Sequence, residues 1–144
     1  MANVVYLTRE RMAELEKELH ELKTEGRKKI AETIAEARAH GDLSENAEYD
    51  AAKEKQGLFE MKISKLEELL SRAQLIDTSA MSNDKVHILA KVKVKNHNTG
   101  QELEYTLVSP EEADLKAGKI AVTSPVGKAL IGKAVGEITQ ATVP

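Results

Sequence analysis

Apolar residues recur along the first half of the chain at Met12, Leu15, Leu19 and Leu22, in alternating steps of three and four. The rhythm returns at Phe59, Ile63, Leu66, Leu70 and Ala73. Such spacing puts one apolar stripe on each of two helices, the pattern of a coiled-coil seam. Residues 1–76 therefore read as helix, entered through Thr8 as N-cap with Leu7 and Met12 as a hydrophobic staple. No proline precedes Pro110 to break either helix. Set antiparallel, the stripes share one register: Met12 with Ala73, Leu15 with Leu70, Leu19 with Leu66, Leu22 with Ile63, and Gly26 with Phe59. That register folds the chain back near residues 42 and 43, where Gly41-Asp42 is an independent turn signal. It also sets the only Phe of the chain against a glycine, large against small, as facing core positions fill space. The predicted rod is roughly 45–50 Å long at 1.5 Å per residue.

Residues 77–84 are a linker by composition, and beyond them the period changes. Val86, Ile88, Ala90, Val92 and Val94 alternate as in a half-buried strand. Asn96-His97-Asn98-Thr99-Gly100 is turn-like, and Leu103, Tyr105 and Leu107 alternate again, which predicts a hairpin. Ile120 and Val122 predict a third strand, Ser124-Pro125 a cap and first turn of a short helix ending by Gly132, and Ile138 to Val143 a further strand. The fold class is therefore α+β: an N-terminal antiparallel helical hairpin over residues 1–76, then a small β-rich domain over 85–144. About 60 residues of sheet are marginal alone.

Composition narrows the role. Of 144 residues, 31% are charged and 3% aromatic, with no Trp, which suits a solvated helical rod better than one large core. Without cysteine there is neither a disulfide scaffold nor a cysteine-based zinc site, and the profile fits a reducing cytoplasm. No apolar run reaches membrane-spanning length, and the N-terminus lacks signal-peptide character. A net charge of −3 argues against independent DNA binding, so a nucleic-acid role has to act through a partner or a local patch. The four histidines, His20, His40, His87 and His97, show no metal-ligand spacing, and no P-loop, dinucleotide fingerprint or nucleophile elbow occurs.

The candidate chemistry lies at the fold-back. Residues 42–50 carry four carboxylates, Asp42, Glu45, Glu48 and Asp50, and no base. One account is local: Asp42 caps the second helix with Glu45 at N3, and acids suit a helix N-terminus. The other is catalytic. Mg²⁺ takes hard oxygen ligands and often only one or two protein carboxylates, so two acids at a rod tip suffice where a second site supplies the remaining ligands. Spacing alone leaves both open. Around the tip, Arg27, Lys28, Lys29, Arg38, Lys53 and Lys55 are either surface partners of rod acids or contacts to phosphates.

The run from Ile34 to Gly57, centred on Gly41-Asp42-Leu43-Ser44-Glu45-Asn46-Ala47-Glu48-Tyr49-Asp50, resembles the signature of the bacterial Gre transcript-cleavage factors. So do Leu70 to Asp77, Ala113 to Ile120, Val122-Thr123-Ser124-Pro125 and Ala129 to Lys133. The resemblance covers nearly the whole chain. It implies a coiled coil that enters the secondary channel of RNA polymerase, with an FKBP-like C-terminal domain docked at the entrance. Asp42 and Glu45 then help hold a second Mg²⁺ shared with the polymerase, whose own active site cuts the backtracked RNA; no cofactor is held by the factor alone. Arg38 and Lys53 become candidates for RNA contact, Ser124 and Pro125 for polymerase docking. The modest basic patch resembles the A-type factors, which cut short fragments. Two departures stand out. Many members carry Arg where Lys53 stands, which keeps the charge but not the bidentate fork. Members usually continue past the position of Pro144 with a glycine-containing turn and a last strand, so the C-terminal sheet is expected to have an open edge.

Two other functions compete. A relative that occupies the channel without supporting cleavage shares the fold; the presence of both Asp42 and Glu45 argues against it. A prolyl isomerase needs an aromatic-lined apolar pocket, and the C-terminal half has one aromatic residue, Tyr105.

Overall fold

The computed structural model describes residues 4–40 and 46–143, and the chain divides into two compact units. One is Glu10–Ser71; the other joins Met1–Arg9 to Arg72–Pro144. The molecule is mixed helix and sheet, with a long helical hairpin in the first unit and a small sheet in the second.

In the hairpin unit, α1 (Arg9–Glu21) runs through one π-helical turn, Leu22–Gly26, into α2 (Arg27–Ala39). The returning helix α3 spans Ala47–Ser71, about 37 Å at 1.5 Å per residue. Leu15, Ile30, Ala37, Ala52 and Ile63 are the buried apolar residues of the hairpin, and Leu19, Leu22, Phe59, Leu66 and Leu70 are half-buried. The π-turn has a physical cause in the sequence. A strict heptad continued from Met12 would put Lys29 and Thr33 on the seam after Gly26, but both are exposed and Ile30 and Ala37 are buried instead. A π-turn takes up one residue more than an α-turn, which rotates the following helix and brings Ile30 and Ala37 inward.

Polar links between α2, the π-turn and α3 agree with the antiparallel register. Arg27 grips Glu60 with both ends of its fork, Nε to Oε2 at 3.1 Å and Nη2 to Oε1 at 2.9 Å. Lys23 Nζ reaches Glu67 Oε2 at 3.4 Å. Hydrogen bonding to Glu60 raises the Arg27 pKa above its usual value.

The ends of the segment read as helix behave differently. Val5–Leu7 forms strand β1 and Ala73–Leu75 strand β2, paired in parallel as Val5 with Ala73, Tyr6 with Gln74 and Leu7 with Leu75. Ala73 is thus a strand residue and not the last member of the seam, and the hairpin is shorter than the predicted rod. The ladder is extended by Val5 N–H to Arg72 O at 3.0 Å and Ile76 N–H to Leu7 O at 2.9 Å. Val5 and Leu7 are fully buried, an outcome that favours the strand over a frayed helix end because β-branched and large apolar residues pack well on a pleated surface.

The main sheet has the order β3 (Lys91–Lys95), β4 (Glu102–Val108), β5 (Lys119–Ala121). Strands β3 and β4 form the predicted hairpin around residues 96–101, and β5 lies parallel to β4. The core of this unit is Val5, Leu7, Leu107, Val108 and Ile120, with Ser109 also buried. Ser109 Oγ accepts the Tyr6 N–H at 2.9 Å, so β1 is tied to the segment leaving β4.

Three expectations are corrected here. The strand read from Val86 begins only at Lys91, because Leu89 adopts φ 70° and turns the chain; its N–H meets Leu107 O at 2.6 Å, and Leu107 N–H meets Ala90 O at 3.0 Å. The linker 77–84 contains a 3₁₀ turn, Thr78–Ala80, capped by Asp77, whose carboxylate accepts from Ser79 and is held below its usual pKa by those bonds. Among the described residues, Ile138 to Val143 form no strand; Ile138 and Val143 are exposed, and no ladder partner meets them. The predicted short helix is α4, Pro125–Leu130.

Candidate functional site

The site predicted at the fold-back lies between the end of α2 and the start of α3. Asp42 and Glu45, the expected metal ligands, fall outside the described residues; their immediate neighbours do not.

Helix α3 starts at Ala47, and the side chain before it supplies the cap. Asn46 Oδ1 accepts the Tyr49 N–H at 3.0 Å, and Asp50 N–H returns to Asn46 O at 3.1 Å. Asn is among the best N-cap residues, because its short amide satisfies an N–H that the helix itself cannot. The cap role considered for Asp42 therefore belongs to Asn46. At the other end, α2 stops at Ala39, and His40 N–H bonds Ala37 O at 3.2 Å. The Asn46 amide Nδ2 donates to that same carbonyl, joining the two helix ends.

Two further links span the gap. The Arg38 guanidinium stands over the Tyr49 ring, 5.7 Å from its centroid, and Nη2 reaches Tyr49 Oη at 3.5 Å. His40 Nδ1 meets Glu48 Oε2 at 2.5 Å, with both side chains largely exposed. Ala37 and Ala52, both buried here, present only methyl groups, which lets the two helices approach closely.

Of the other predicted residues, Lys53 is exposed on α3 and donates to Gln56 Oε1 at 2.9 Å along the same helix. Arg38 is thus positioned by a partner across the hairpin, whereas Lys53 is placed by its own helix. Ser124 and Pro125 lie far along the chain, at the start of α4. The Ser124 hydroxyl accepts from Gly127 N at 3.1 Å and donates to Ala121 O at 2.6 Å, so both its functions serve the local backbone. Pro125 is exposed at the first helical position.

Among the described residues, no group of three or more His, Asp or Glu side chains could hold a metal ion. A donor set of two carboxylates at this tip suits Mg²⁺ chemically, since Mg²⁺ prefers oxygen and keeps several waters, but only where other ligands complete the shell. The sheet unit holds a groove of about 970 Å³, lined by residues such as Val86, Leu89, Val92, Val94, Leu130 and Lys133. None of its lining residues is Phe, Tyr or Trp. No helix among the described residues is long and apolar enough to cross a membrane.

The residues that sequence reasoning did not assign are Asn46, Tyr49 and the His40–Glu48 pair. Asn46 was findable: it is a favoured cap residue directly before an uninterrupted helical run. Its second bond, to Ala37, carries no local signal.

Comparison with known proteins agrees with this architecture. Residues 5–75 match the model of the family described as transcription elongation factor, N-terminal, and residues 81–144 that of transcription elongation factor GreA/GreB, C-terminal. The first match begins with β1 and ends with β2. The chain is 56% identical over 144 residues to the transcription elongation factor GreA of Flavobacterium johnsoniae, covering all of this chain and 91% of that protein. The same identity and coverage hold for GreA of Flavobacterium psychrophilum. Among solved structures, that of the transcription factor Gfh1 is similar with TM-score 0.52 at 28% identity, over 100% of this chain and 92% of that one. The chain belongs to the GreA/GreB family of transcription elongation factors.

Proposed function

We propose that this factor binds RNA polymerase, places its helical hairpin in the secondary channel, and stimulates the polymerase's own Mg²⁺-dependent cleavage of backtracked RNA, so that arrested complexes resume. It acts in the cytoplasm as a cofactor of the polymerase nuclease and has no nuclease activity of its own. What supports this reading is a helical hairpin whose connecting sequence is acidic, in a chain 56% identical to GreA of Flavobacterium johnsoniae over 144 residues. A hairpin built on a helix about 37 Å long can carry carboxylates down a passage that a globular domain cannot enter.

In this reading Asp42 and Glu45 supply two of the ligands for a second Mg²⁺ whose remaining ligands come from the polymerase and the RNA. Such an ion, when bound beside the first, stabilises the attacking and leaving oxygens of a phosphodiester. Arg38, held over Tyr49 and close in sequence to Asp42, offers its charge to an RNA phosphate. The sheet unit serves as the docking domain, with exposed Pro125 and the capped start of α4 as its candidate contact surface.

The test is incubation of the protein with a stalled, backtracked elongation complex, Mg²⁺ and labelled RNA. Shortening of the RNA that depends on the factor, lost in Asp42→Asn and in Glu45→Gln while both variants still compete with wild type for polymerase, is the expected result. Binding without shortening by the wild-type protein would favour the channel-blocking alternative. Shortening that survives in both variants would remove the carboxylates from the mechanism.

A further inference from the structure

We infer that Asn46 is a positioning residue for cleavage: its side-chain amide clamps the two helix ends from which the acidic segment springs. This rests on the reading that Asp42 and Glu45 act together at the polymerase active centre.

Both halves of the amide are engaged by the protein. The oxygen caps α3 through Tyr49 N–H, and the nitrogen crosses to Ala37 O on α2. The nitrogen is a donor and cannot serve a metal, and the oxygen is turned to the α3 backbone, so both groups of Asn46 act on the helix ends. The crossing bond also meets the helix end at a point shared with the chain leaving it, because Ala37 O takes His40 N–H as well. Segment 41–45 is therefore joined covalently, on one side to His40 and on the other to Asn46, at the two residues that converge on a single carbonyl.

The residue type is specific to this job. Ser, Thr or Asp would cap α3 equally well, but none carries an amide donor beside the capping oxygen. Gln has both groups on a longer stem and is not a favoured cap. Of the other two links across the gap, His40 to Glu48 lies between exposed side chains and Arg38 to Tyr49 joins an exposed guanidinium to a half-buried ring at the 3.5 Å limit of a hydrogen bond, so both are weak. The Asn46 bond is partly buried and joins neutral groups, so it is less exposed to competition from water and salt than those two.

Asn46→Ser separates the two roles, since it keeps a capping oxygen and loses the crossing donor. The chain has no cysteine, so spin labels can be attached at Ala35→Cys and Glu54→Cys, exposed positions on α2 and α3, to read the spacing of the hairpin end in the free protein. The expected result is a broader distance distribution in Asn46→Ser with little change in thermal stability. With backtracked complexes, cleavage at saturating factor should fall at least ~10-fold, since misplacement by about 1 Å costs on the order of 100-fold. The concentration that half-saturates polymerase should not change, and added Mg²⁺ should recover part of the rate. An unchanged distance distribution would overturn the clamp. A broadened distribution with wild-type cleavage, or a loss explained wholly by weaker polymerase binding, would overturn the positioning role. If the wild-type protein stimulates no cleavage, the underlying reading fails and the positioning role with it, while the label distances still report separately on the clamp.

Discussion

A Cβ placed on Gly26 would stand 2.5 Å from Cζ of the Phe59 ring and 3.1 Å from Cε2. Gly26 has ordinary helical angles, φ −64° and ψ −47°, so glycine is present for the space it leaves and not for a conformation that other residues avoid. Glycine within a helix costs about 1 kcal/mol relative to alanine, and the ring that fills the gap offsets that cost.

The pair should therefore show strong coupling. Gly26→Leu is expected to destabilise the protein by roughly 1–3 kcal/mol through overpacking, in spite of its better helix propensity. Phe59→Ala should cost less than the ~3–5 kcal/mol of a fully buried ring, since Phe59 is only half-buried. With Phe59→Ala already made, Gly26→Leu should become neutral or stabilising. Urea unfolding of the four proteins in a double-mutant cycle checks this; additive effects would mean the two residues do not share the space.

Gly127 has a harsher neighbour. A Cβ there would lie 2.1 Å from Ala121 O and 3.0 Å from Val122 Cα, both backbone atoms that cannot swing aside. Gly127→Ala should unfold or shift α4 at a cost of at least ~2 kcal/mol. Thermal melts of the full chain measure the loss. If α4 is the docking surface proposed above, weaker competition for polymerase accompanies it, because α4 carries Pro125.

The Arg72–Glu111 pair gives stability an acid-sensitive component. Arg72 Nη1 and Glu111 Oε2 lie 2.6 Å apart with both side chains mostly covered, and the hydrogen bond from Arg72 holds the Glu111 pKa below its usual range. A carboxylate whose pKa is lower folded than unfolded adds stability above the unfolded value, about 4.3, and loses it as pH falls through the folded value. Glu111→Gln should therefore lower the melting temperature near neutral pH and flatten its decline on the acid side. Melts from about pH 7 to about pH 3 test this. Parallel curves for the two proteins would show that the pair contributes nothing.

Tyr49 should matter through Arg38. Tyr49→Ala removes the surface beneath the guanidinium and should slow cleavage at limiting factor by roughly two- to fivefold, matching the ~0.5–1 kcal/mol of an exposed cation–π contact. Tyr49→Phe should be close to wild type, since the ring remains and the hydroxyl bond at 3.5 Å is at the limit of useful length. Arg38→Ala should lose about as much as Tyr49→Ala, and the double variant no more than either. Equal rates in all of these would return Arg38 to an ordinary surface charge.

The helical hairpin was legible from the sequence by itself because its information is local. Steps of three and four name the seam, and two seams of matching length allow one register, which brought Gly26 opposite Phe59 without any coordinates. The same holds for the alternation over Leu103, Tyr105 and Leu107 and for the Ser124-Pro125 helix start. Only the tertiary structure decided that Val5–Leu7 and Ala73–Leu75 are strands. Three residues contain too little period to separate strand from helix, and each strand exists because the other, across the whole hairpin, completes its hydrogen bonds. Leu89 turns the chain where alternation predicted a straight strand, held by bonds to Leu107 on another strand. Ile138 to Val143 has a strand's composition, yet among the described residues no strand pairs with it. At the fold-back, the sequence showed the acids and their charge. It offered Asp42 as one possible cap, because several good capping residues follow one another there, and local propensity cannot choose among them. The fold chose Asn46, the one whose amide also reaches a carbonyl on the opposite helix.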